Sequence, residues 1–114
     1  MIDRDQLYPL LFEPLYREAM WGGTMLAEHF GRQLPHTEEP IGEAWELADR
    51  EEAVSVVANG PLAGISLRDL LAEHGRDIVG DRFQGPRFPL LIKLIDAGRR
   101  LSLQVHPDAA AALD

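Results

Sequence analysis

Glycine and proline interrupt this chain so often that only short elements fit between them. Ten glycines and eight prolines are spread over 114 residues. Glycine admits left-handed backbone and proline removes a donor, so each marks a turn or an end. Leu10 to Trp21 reads as extended backbone, stopped by Gly22-Gly23. Thr24 is placed to cap a short helix over Met25 to Phe30, with Gly31 closing it. Gln33 to Pro40 is a polar loop. Glu43 to Ala48 and Ala53 to Ala58 read as strands, the second because Val54, Val56 and Val57 suit a pleated surface.

After the Asn59-Gly60-Pro61 turn, Ser66 opens the clearest helix. Asp69 stands where a capping box needs an acceptor, and Leu67, Leu70 and Leu71 form the apolar stripe. Gly75 is the expected stop. Ile78 to Pro86 is a loop or a single helical turn. Phe88 to Ala97 is an apolar run of strand length, turned by Gly98 to Arg100. The expected class is mainly β with peripheral helices, in one domain over 1–114.

Composition narrows the partners. No run approaches the roughly 18 apolar residues of a membrane span, and MIDRDQLYPLLFEPLY lacks the apolar core of a signal peptide. The absence of cysteine excludes disulfides and thiolate metal sites, and a cytoplasmic location is expected. Net charge is −8 with no basic stripe, so neither nucleic acid nor membrane is an expected partner. Lys93 is the sole lysine and lies inside an apolar run. It either serves function as a point charge or pairs with a carboxylate such as Asp96 or Glu43.

Leu101 to His106 alternates strictly. On a strand, Leu101, Leu103 and Val105 face a core, and Ser102, Gln104 and His106 face the other way. Residues two apart are roughly 6.5–7 Å apart along the backbone. An amide oxygen from Gln104 and an imidazole nitrogen from His106 can converge on one metal at about 2.0–2.2 Å each. The same row is also what a solvent-facing edge strand presents. Pro107 ends the strand, and a helix is expected over Ala109 to Leu113. It meets the last residue after little more than a turn, so the chain is expected to be the N-terminal part of a longer domain.

The stretch FPLLIKLIDAGRRLSLQVHPD, Phe88 to Asp108, resembles the signature region of type I mannose-6-phosphate isomerases. Phe12-Glu13-Pro14, Trp21-Gly22-Gly23, Gly42-Glu43-Ala44-Trp45-Glu46-Leu47 and Ser55 to Leu62 follow that family in order. The resemblance implies a cupin-type β-sandwich, a jelly roll of which this chain holds a part. It implies zinc as cofactor, held by Gln104 and His106 together with a Glu and a His beyond this chain. The implied reaction is aldose–ketose isomerisation of a hexose 6-phosphate, between mannose 6-phosphate and fructose 6-phosphate. A proton moves between C1 and C2 through an enediol, with zinc as Lewis acid. The family usually places a second Asp after His-Pro-Asp, where this chain has Ala109.

Ser102 matches a serine that the family places near the substrate phosphate, and a plain surface hydroxyl is the other reading. Trp21 is a candidate wall for the sugar or an ordinary rim tryptophan. Glu43 and Glu46 are expected to be exposed, and His29, His36 and His74 to lie on the surface. A non-catalytic sugar-binding or regulatory cupin is the alternative to the isomerase, and a zinc cupin acting on another sugar is a third reading. With only Gln104 and His106 as ligands, the chain alone is expected to be inactive.

Overall fold

The computed structural model describes residues 2–103, 105, 107 and 108. Its centre is a three-stranded antiparallel sheet in the order β1-β2-β3, formed by Leu15–Glu18, Ile41–Leu47 and Ile92–Ile95. Two α-helices form among the described residues: α1 over Met25–Glu28, whose Leu26 packs on the sheet, and α2 over Leu67–Val79, which belongs to a second core. The mainly β class with peripheral helices holds. No helix among the described residues is long and apolar enough to cross a membrane.

β2 is the central strand and buries Ile41, Gly42, Ala44 and Trp45. Ile41 and Ala44 are three apart, an odd spacing that puts side chains on opposite faces of a regular strand. Both nevertheless join Leu26 in one core, against Tyr16, Leu34 and Leu94. The register explains this. Arg17 pairs with Glu43 while Glu18 pairs with Ile41, so Gly42 is an extra residue on the β2 side. Such a bulge turns the strand and changes which face follows.

A second core gathers Val57, Leu62 and Leu70 under the N-terminal segment, with Leu7, Tyr8, Leu10 and Phe12 packed on it. Leu70 is fully buried, which stabilises by about 1.5–3 kcal/mol relative to exposure. Polar groups pin the segment in place. Tyr8 Oη donates to Asn59 O at 2.7 Å and accepts from Leu62 N at 2.8 Å. The Asn59 side chain accepts from Leu11 N at 2.8 Å and donates to Pro9 O at 3.1 Å.

Several expectations change. Ala53 to Ala58 is extended but carries only isolated bridges. Its backbone groups bond in turn to Ala48, Glu13, Leu11, Ile65 and Leu67, so no single ladder forms. α2 runs past Gly75 to Val79, with a kink at His74 (φ −124°, ψ 26°). Gly75 is there for packing, since a Cβ on it would lie 2.5 Å from the Phe83 ring. The actual stop is Gly80, at φ +122°. His74 is buried rather than on the surface, with Nε2 2.9 Å from Ile2 O, whereas His29 and His36 are exposed as expected.

The apolar run from Phe88 forms a strand only over Ile92–Ile95. Leu101 to Leu103 is not a strand. Leu103 and Val105, expected to face a core, are 95% and 86% exposed. Alternation prepares a strand, but the strand needs a neighbour to bond to. None pairs with this stretch among the described residues. The helix expected over Ala109 to Leu113 lies outside the described residues.

Candidate functional site

β2 and β3 bring the first candidate into place. Lys93 lies opposite Trp45, and Glu43 lies opposite Ile95. Lys93 and Glu43 are therefore diagonal neighbours on one face, and they form an ion pair. Glu43, one of the two carboxylates offered as a partner for the sole lysine, takes it, and it is less exposed than expected. Its side chain is 20% exposed and that of Lys93 33%. Of the two carboxylates weighed from sequence, Asp96 is engaged elsewhere. Glu46 is also paired, accepting from Arg32 Nη2 at 2.8 Å.

The same face carries Arg17 and Trp45. The Arg17 guanidinium lies 4.2 Å from the Trp45 ring centroid, a cation–π geometry. The Trp45 ring nitrogen is buried and meets no acceptor among the described residues. Sequence reading missed Arg17. Its only signal was its place on a strand whose pairing with β2 could not be read in advance.

Trp21 sits in a tightly built corner. Its carbonyl accepts from Gly98 N at 2.7 Å and Arg99 N at 3.0 Å. Its indole fills the space beside Gly42, where a Cβ would come within 2.8 Å of the ring. Gly22 bridges to Ala97. A Cβ on Gly23 would lie 2.5 Å from Asp96 Oδ1, and one on Gly98 would lie 2.7 Å from Gly22 O. Gly22 and Gly98 are there because backbones touch, whereas Gly23 leaves room for the Asp96 carboxylate and Gly42 for the Trp21 ring.

Asp96 is buried at 7% exposure. Its Oδ2 accepts from Met25 N at 2.7 Å and Leu26 N at 3.3 Å. Thr24, the expected cap, makes no side-chain cap bond. Ser102 is exposed and follows this corner in the chain. Among the described residues no hydrogen bond joins it to Lys93, whose partner is Glu43, so the structure does not bring these two candidates together. Gln104 and His106, the candidate metal ligands, lie outside the described residues. Among the described residues, no group of three or more His, Cys, Asp or Glu could hold a metal ion.

A family model described as "Phosphomannose isomerase type I, catalytic domain" matches residues 10–114. The mannose-6-phosphate isomerase ManA of Bacillus subtilis is 45% identical over 100 residues, 88% of this chain and 30% of its own length. The mannose-6-phosphate isomerase of Streptococcus mutans is 42% identical over 106 residues, 93% of this chain and 32% of its own. The crystal structure of the mannose 6-phosphate isomerase from Bacillus subtilis aligns with a TM-score of 0.68 at 42% identity, over 78% of this chain and 27% of that one. The chain thus spans about a third of the length of these relatives.

Proposed function

Because the chain belongs to the type I phosphomannose isomerase family, we propose that it is part of a zinc-dependent isomerase interconverting mannose 6-phosphate and fructose 6-phosphate. The observation that carries this reading is the match to the catalytic-domain family over residues 10–114. Relatives at 42–45% identity that bear the isomerase name support it.

Gln104 and His106 would contribute a neutral amide oxygen and a neutral imidazole, donor types that zinc accepts. When bound, zinc supplies Lewis-acid polarisation of substrate oxygens. A ligand set with few anions leaves that pull intact. Lys93 has three ammonium protons, and Glu43 engages one side of it. The remaining donors are available to a substrate hydroxyl or to phosphate. Glu43 limits where that cation can swing. Ser102 would donate its hydroxyl near the phosphate, and Trp21 would offer an aromatic face to the sugar.

The test is made on the full-length protein carrying this chain, by metal analysis and by conversion of mannose 6-phosphate to fructose 6-phosphate. Stoichiometric zinc and turnover are expected. His106→Ala should abolish turnover and lower zinc content together. Full activity in that variant sinks the ligand assignment. Sugar binding without turnover in the unsubstituted protein instead favours a non-catalytic cupin.

A further inference from the structure

The corner around Asp96 joins two stretches that the isomerase reading uses separately. Trp21 is on one, and the segment leading to Ser102 is on the other. Residues 96–99 grip residues 21–26 at successive points. Gly98 N and Arg99 N hold the Trp21 carbonyl, at 2.7 and 3.0 Å. Ala97 bridges Gly22. The Asp96 carboxylate occupies the space over Gly23 and takes Met25 N and Leu26 N. Asp96 N itself donates to Gly42 O at 2.8 Å, next to the surface on which the Trp21 ring lies.

We propose that Asp96 is a positioning residue for substrate binding, fixing Trp21 against the end of β3. This rests on the isomerase reading and on Trp21 as the sugar wall. The physical case is that, among the described residues, the carboxylate is the only side chain that hydrogen-bonds in this grip; the other bonds are between backbones. Buried, it has little freedom to let the 21–26 segment shift. Without it, Met25 N and Leu26 N lose their acceptor, and the segment must move to find water. The turn holding Trp21 is three residues away and moves with it.

The test uses the zinc-loaded full-length protein and separates KM from kcat. A variant that only unfolds a fraction of the molecules lowers apparent kcat and leaves KM alone, because the folded remainder binds as before. Asp96→Ala should raise KM for mannose 6-phosphate at least about tenfold. Asp96→Asn keeps an oxygen able to accept from Met25 N and Leu26 N, so its KM should stay within about threefold of the unsubstituted protein. Should Asp96→Ala fail to fold, Gly23→Ala asks the same question by pushing a methyl group into the carboxylate, and it should raise KM as well. On a Trp21→Ala background, neither substitution should raise KM further. Unchanged KM in the folded variants, or additive effects with Trp21→Ala, overturns the proposal while the isomerase reading stands. Absence of turnover in the unsubstituted protein overturns both.

Discussion

Asp96 caps the helix that begins at Met25. Its Oδ2 lies 2.7 Å from Met25 N, between residues 71 apart in sequence. The adjacent Thr24 contributes no side-chain cap bond. Thr24→Ala should therefore change stability by less than about 0.5 kcal/mol, the range of an uninvolved surface position. Asp96→Ala should cost about 1–3 kcal/mol, because it leaves two amides without their acceptor. Urea unfolding of the two variants checks the order, and a larger loss at Thr24 would reverse the assignment.

Asp49 makes a second long-range tie. Its side chain is fully buried and accepts from Arg68 Nε at 3.0 Å and Phe88 N at 3.1 Å. It thus joins the end of β2 to α2 and to the segment leading into β3. Arg68→Ala should destabilise by about 2–3 kcal/mol, since it leaves a buried carboxylate without its counter-charge and with only Phe88 N of these two donors. That is below the range for a fully buried pair, because the Arg68 side chain is 43% exposed. Arg68→Lys should recover part of the loss, measured by the same unfolding curves.

The Arg32 guanidinium is held above its ordinary pKa, first by the Tyr16 hydroxyl; burial pulls the other way, and the Glu46 carboxylate adds to the rise. A raised cation contributes its full stability below the unfolded-state value. The contribution is lost only as pH climbs through the folded-state value, far into alkali. Between roughly pH 6 and 9, where carboxylates and arginines keep their charge, the effect of Glu46→Gln on unfolding free energy should be flat. Its size should not exceed about 1 kcal/mol, as for other partly exposed pairs. A strong slope across that range would show that another group governs the pair.

Among the described residues β3 is an edge strand, and its Ile92 and Ile95 are 48% and 53% exposed. Unpaired apolar edges invite pairing with other chains. Ile95→Lys should reduce self-association of the 114-residue chain, seen by light scattering. Unfolding free energy should stay within about 0.5 kcal/mol, since little of the side chain's burial is lost. Undiminished association would place the sticky surface elsewhere.

What could be read in advance follows a pattern in distance along the chain. Ser66 was legible as a cap because its hydroxyl accepts from Asp69 N, three residues on, at 3.1 Å. The apolar stripe of α2 was legible for the same local reason, and so was the extended stretch holding β1. The end of α2 was misjudged because Gly75 serves the Phe83 ring and does not terminate the helix. Lys93 stood out as an oddity, but choosing Glu43 over Asp96 needed the β2–β3 register. The row Ser102, Gln104 and His106 was legible as a pattern of donors. Its two metal candidates lie outside the described residues.

The short elements, the helix cap at Ser66 and the ordered words that place the chain in its family can be read from the residues alone. These depend on backbone preferences, spacing and residue identity, which are written locally. That Asp96 caps Met25, that Glu43 takes Lys93, and that Ile41 and Ala44 share a core across a bulge emerged with the assembled fold. Each of those is a hydrogen bond, an ion pair or a packing contact between segments whose approach is fixed by the whole fold, so no local pattern could announce it.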